Sequence, residues 1–269
     1  MKIVKIIAMK RSLFFVFCFL FFAFFLSGCI KKKVETPAPR PKIQEVVNTV
    51  PLSERVYATL SFASSSNFPL GRELTLTVAD SKSASLIEYE LEYQAGTLVQ
   101  AGLGSISTKD NKPPYSKDIL LGSCSAGGAC SYHEDVKGGT LLLRFKGSPV
   151  GNLKGEWNYY APGNDGKLSS RDAKFQLDAP KLKKAFVVVS QTLGLPKIVE
   201  GDVLAGPYHL ASTAGVAGEM ELTMRLVEET PTAKLLFWNG SSYQPVKHNL
   251  EGKTATATIS SAGTYLVVK

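Results

Sequence analysis

The chain has 269 residues, 44% of them apolar and 20% charged, with 31 Lys and Arg against 23 Asp and Glu. That apolar content excludes a chain too polar to form a core, and the three histidines and four cysteines leave little material for a Cys/His metal cluster. A formal charge of +8 would suit a nucleic-acid partner only if the excess lay on the folded part of the chain.

Four of the positive charges, Lys2, Lys5, Lys10 and Arg11, precede an unbroken apolar run over residues 13–26 that holds eight of the fourteen Phe. Fourteen residues suit the apolar region of a signal peptide and fall short of the roughly 20 that a spanning helix needs. The run ends in Leu26-Ser27-Gly28-Cys29, which resembles the lipobox of bacterial lipoproteins. The resemblance implies cleavage before Cys29, lipidation of its sulfur, and attachment to a bilayer through a diacylglyceryl-cysteine. It places the protein outside the cytoplasm, on the outer membrane if the cell has two. Residues 1–28 would be lost, leaving 27 basic against 23 acidic residues, a net of +4. The basic balance is therefore largely a feature of the leader, and no nucleic-acid partner is expected.

Residues 29–53 follow as a tether. Lys31, Lys32 and Lys33 would lie within a Debye length of anionic headgroups, and Pro37, Pro39 and Pro41 favour extended backbone.

Beyond residue 54 the period becomes two. Val56, Ala58, Leu60 and Phe62 share one face, and Leu74, Leu76 and Val78 alternate with threonines. LIEYELEYQ sets Ile87, Tyr89, Leu91 and Tyr93 against Glu88, Glu90, Glu92 and Gln94, and Leu141, Leu143 and Phe145 repeat the pattern. Such alternation predicts antiparallel strands with one buried face, and no stretch carries a helical period. The pattern resembles the Ig-like and fibronectin-like sandwich modules of bacterial surface proteins. It implies an all-β fold of two β-sandwich domains, at 54–180 and 181–269, with a polar boundary at DAPKLKK (178–184). The second domain opens on the apolar AFVVVS. It continues through LLFW and SSYQPV, joined by a turn at Asn239-Gly240, then TATATIS and TYLVV.

Cys124 and Cys130 lie six apart in GSCSAGGACSYHED. A disulfide, free thiols, or a metal grip completed by His133 are all compatible with the spacing. The oxidising address implied by the lipobox favours the disulfide.

Motifs for catalysis are lacking: no HExxH, GxSxG or P-loop is present, so the protein is expected to be non-enzymatic and free of cofactors and metals. His209-Leu210 resembles the cleavage site of autoproteolytic sandwich domains, but Ala211 stands where their nucleophile would be and Ser212 falls on the opposite face of a strand. Asn164-Asp165-Gly166 suits a hairpin connection better than a calcium loop, which needs more carboxylates. Two aromatic groups, Trp157 with Tyr160 and Trp238 with Tyr243, are candidate sugar-stacking platforms. The expected function is a binding or scaffolding lipoprotein with an envelope protein or glycan as partner, or alternatively a carbohydrate-binding module using those rings.

Overall fold

The computed structural model describes residues 45–64, 67–109, 111–216 and 218–269; the signal peptide, Cys29 and the tether as far as residue 44 lie outside the described residues. Glu45–Lys269 form one compact unit. The strands are β1 (Ala58–Phe62), β2 (Glu73–Val78), β3 (Leu86–Ala95), β4 (Leu98–Ser107), β5 (Tyr115–Leu120), β6 (Gly122–Cys124), β7 (Cys130–Tyr132), β8 (Val136–Lys146), β9 (Asn152–Tyr160), β10 (Lys167–Ser169) and β11 (Phe175–Asp178). A 3-10 turn at Pro180–Leu182 leads to β12 (Val187–Gln191), β13 (Val203–Ser212), β14 (Met220–Arg225) and β15 (Lys234–Trp238). The chain then forms β16 (Tyr243–Pro245), β17 (Asn249–Glu251), β18 (Thr254–Ile259) and β19 (Gly263–Val268). The fold is all-β, and every pairing is antiparallel.

The organising element is a nine-stranded sheet in the order β16-β15-β19-β13-β12-β9-β8-β3-β4. A three-stranded sheet, β1-β2-β5, and a five-stranded sheet, β10-β11-β14-β18-β17, accompany it. One core joins Ala58, Leu60, Leu74, Leu76 and Val78 of the small sheet to Ile87, Leu91, Leu143, Leu153 and Trp157 of the long one. A second core joins Phe175, Leu177, Leu222, Met224 and Ala255 to Leu210, Leu235, Tyr265 and Val267. The two cores lie on opposite faces of the long sheet, as β12 shows: Val188 enters the first, and its neighbours Val187 and Val189 enter the second. β9 does the same at its end, with Tyr159 in the first core and Tyr160 packed against the second.

Two sandwiches are therefore fused through one sheet, and this changes the organisation read from the sequence. β9 pairs with β12 from Val187↔Tyr160 to Ser190↔Trp157, so backbone hydrogen bonds cross the expected boundary at 178–184. β10 and β11 precede that boundary yet belong to the second core through Leu168, Phe175 and Leu177. The boundary segment is no exposed linker, because Ala179 and Leu182 are buried. Its lysines are exposed while Ala179 and Leu182, three residues apart about the 3-10 turn, fill the second core, a pattern that charge alone conceals.

The end of the tether is also corrected. Residues 45–53 are docked rather than flexible: Glu45 pairs with Arg144 at 2.7 Å, and Asn48 Nδ2 donates to the Lys154 carbonyl while its Oδ1 accepts from the Lys154 amide. Val50 packs on the first core, and Arg55 donates to the carbonyls of Val50 and Asn48.

Candidate functional site

The aromatic positions separate sharply. Trp157 is fully buried in the first core beside Tyr93, with ring centroids 6.2 Å apart, and so has no face on which a sugar could stack. Tyr160 is half-buried on the opposite face of β9; its hydroxyl donates to the Ser169 carbonyl and accepts from the Ser169 amide, which ties β9 to β10. Burial removes Trp157 from the candidates, and Tyr160 is taken up by strand tying; they form no joint platform. Trp238 and Tyr243 do come together. They are register partners on the β15–β16 hairpin, half-buried, with ring centroids 5.1 Å apart in an edge arrangement. The turn between them spans residues 239–242, where Asn239 Oδ1 accepts from the amides of Ser241 and Ser242 and Gly240 takes a positive φ of 101°. Tyr243 is fixed by donating to the Lys197 carbonyl at 2.9 Å, and burial pushes its hydroxyl up to about 12.

Next to Trp238 in register, on the same face, is Thr264 of β19, and beyond it His209 of β13 and Ser190 of β12. The Thr264 hydroxyl bonds both Tyr57 Oη at 2.8 Å and His209 Nδ1 at 2.9 Å. Burial lowers the imidazole to about 4, so it is neutral over the physiological range. Ser190 Oγ and the adjacent Trp157 Nε1 are buried with no hydrogen-bond partner among the described residues. The Ser190, His209 and Thr264 side chains are thus a polar row across the sheet. Thr264 is fully buried and Ser190 almost so, while His209 between them is half-buried.

A surface with room for a ligand lies on the five-stranded sheet and is lined by none of the residues singled out by motif. Every second residue of the five-stranded sheet points away from the second core. In register these are Ser169, Gln176, Thr223, Thr256 and Asn249 across β10, β11, β14, β18 and β17. The next row outward runs Lys167, Asp178, Glu221 and Thr258; on the other side Arg225, Thr254 and Glu251 stand in line. Three shallow cavities of about 440, 340 and 460 Å³ lie along this face, and Thr223 borders all three. The face presents hydroxyl and amide groups in the middle, Glu221 beside the Lys167–Asp178 ion pair at one end, and Arg225, Lys174 and Lys253 with Glu251 at the other. The signal was present in TATATIS, whose Thr254, Thr256 and Thr258 alternate with inward residues.

The cysteine loop resolves to a short hairpin. Cys124 and Cys130 are register partners of β6 and β7 and form a disulfide. The hairpin base is held by Arg72, which donates to the His133 carbonyl, makes a two-pronged bond to Glu134, and lies 5.9 Å from the centre of the Tyr132 ring. His133 is engaged through Nδ1 with Tyr93 Oη at 2.9 Å. Asn164 and Asp165 accept from the amides of Gly166 and Lys167, which makes that segment a turn.

No protein-family model matches the chain, and neither the curated proteins nor the solved structures contain a significant match to it.

Proposed function

We propose that the protein is a lipid-anchored, extracytoplasmic lipoprotein whose fused sandwiches bind a polar envelope component without catalysis. The observation that carries this reading is the outer face of the five-stranded sheet, where three contiguous cavities are lined by hydroxyl, amide and oppositely charged groups. Such a surface recognises ligands by many weak hydrogen bonds and offers no nucleophile–base pair. The Leu26-Ser27-Gly28-Cys29 segment supports the anchor and Cys29 as its lipidated residue.

Two measurements test the reading separately. Cys29→Ser should abolish fatty-acid labelling and leave an unprocessed precursor; a normally cleaved, membrane-free product overturns the anchor. Retention of the full chain on isolated cell wall and on glycan arrays should fall with Thr223→Glu while the melting temperature holds. Retention unaffected by Thr223→Glu moves the site elsewhere. A second reading, a carbohydrate-binding module, is favoured by the half-exposed Trp238–Tyr243 pair. It predicts that Trp238→Ala, rather than Thr223→Glu, removes glycan retention.

A further inference from the structure

The long sheet has two edges, and they are built differently. One is β16, three residues long and ending in Pro245, which cannot donate to a further strand. The other is β4, ten residues reading LVQAGLGSIS, with no charge and no proline. The edges of the five-stranded sheet, β10 and β17, are three residues each and carry Lys167 and Glu251. Of the two outer strands of the three-stranded sheet, β5 carries Lys117 and Asp118, and β1 is uncharged but only five residues long. Short length, charge and proline are the usual protections against strand addition, and β4 has none of them.

β4 is also apolar where it is exposed. Leu98 is 62% exposed, Val99 64% and Leu103 68%, which are three of the seven most exposed large apolar side chains among the described residues. β4 is held to β3 throughout its length, from Leu86↔Ser107 to Ala95↔Leu98. Its position is fixed on the core side by glycines: a Cβ at Gly104 would meet the Tyr89 hydroxyl at 2.2 Å, and one at Gly102 would meet Ile119 at 2.6 Å. Along its outer edge β4 pairs with no further strand among the described residues.

We infer that β4 is a docking edge for a second copy of this chain, paired antiparallel about a two-fold axis at Ala101. The sequence of the strand selects this occupant. On the face away from the first core the side chains are Val99, Ala101 and Leu103, a pattern symmetric about its centre. Self-pairing about Ala101 sets each Leu103 against the other copy's Val99 and Ala101 against itself, with residues 98–104 opposite 104–98. An uncharged strand meets its own copy without like-charge repulsion, whereas a charged partner strand would find no counter-charge anywhere on β4. The contact is isologous and so closes at two by its own symmetry, and the short β16 with Pro245 at the far edge gives no second site for strand addition. The two long sheets become one continuous sheet, with backbone hydrogen bonds giving affinity and the Val99–Leu103 pairs giving register.

Cysteine placement tests the register on the purified full chain, with the wild type alongside as control for its own sulfurs. Oxidation should couple Ala101→Cys into a dimer on a non-reducing gel, since position 101 faces itself. Leu103→Cys alone should give no disulfide-linked dimer, and Val99→Cys mixed with Leu103→Cys should couple. Sedimentation equilibrium should give a dimer for the wild type and, for Ala101→Lys, dissociation at least about 100-fold easier with an unchanged melting temperature. A wild type that sediments as a monomer at every concentration overturns the inference. So does an Ala101→Cys thiol that reacts with maleimide but never couples, or coupling of Leu103→Cys as efficient as that of Ala101→Cys.

Discussion

The two halves of the nine-stranded sheet are covered differently. Around β3 and β8 one face is buried and the other is solvated. Ile87, Leu91 and Leu143 fill the first core, while Glu88, Glu90, Arg144 and Lys146 form ion pairs on the outside. Around β12 and β13 both faces are buried, so Val187, Val188 and Val189 are all fully covered. The first arrangement reads as alternation and the second as a continuous apolar run. In this molecule the run AFVVVS does not begin a new domain: it marks the strand at which the sheet changes the face it buries.

Because β9 and β12 contribute to both cores, neither core is independent of the other. Trp157→Ala in the first core and Phe175→Ala in the second should each cost about 3–5 kcal/mol. Both should shift one shared denaturant transition, followed by fluorescence and by far-UV dichroism. Two separable transitions would mean that the shared strand does not couple the sandwiches.

The next effect is pH-dependent and belongs to the doubly covered half. His209 titrates near 4 in the folded chain and near 6.5 when unfolded. The unfolded state therefore binds more protons between those values, and stability falls as pH drops from about 6.5 towards 4. The loss should be about 2–3 kcal/mol, absent in His209→Gln, and visible in urea midpoints across that range.

Reducing the Cys124–Cys130 disulfide comes third. The small loop it closes is worth about 2 kcal/mol, a few degrees in melting temperature, and the fold should survive because the hairpin lies outside both cores. Denatured protein should show no thiol from this pair before reduction; two titratable thiols there would refute the bond.

The solvated half should give the smallest change. Arg144 holds the Glu45 carboxyl below the usual range through a direct hydrogen bond, so this contribution is present at neutral pH and is lost as acid titrates Glu45 below its ordinary value. Because all three partners are partly exposed, Arg144→Ala should cost less than about 1 kcal/mol, measured by the same urea midpoints, and more at low salt than at high.

Much of the local structure was legible. The alternating faces of β2 and β3, the β15–β16 hairpin, and the strands of TATATIS and TYLVV are as the residues suggest. The disulfide is present as the favoured reading had it. What could not be read was partnership. Nothing local in GEWNYY says that Trp157 will sit opposite Ser190, or that Tyr160 will pack across from a strand that begins at Val187. β13 was hidden for another reason: Gly206 and Pro207 interrupt its pattern, and the register shifts between Ala205 and Tyr208 show where the strand absorbs them. The polar face of the five-stranded sheet carries no motif; its signature is hydroxyls at alternate positions, such as Thr254, Thr256 and Thr258.

The placement of β19 has a kinetic consequence. This strand lies between β13 and β15, so the β15–β16 hairpin joins the long sheet only through it. Tyr57, just ahead of β1, reaches the hydroxyl of Thr264 across 207 positions of sequence. Local pairs such as β3–β4 and β8–β9 need no late strand, but the loop entropy of the distant closures must be met before the long sheet is complete. Refolding should therefore be slow for a chain of this size, because the first core, though built mostly by β1 to β9, is completed only when Val188 of β12 and Ala211 of β13 arrive.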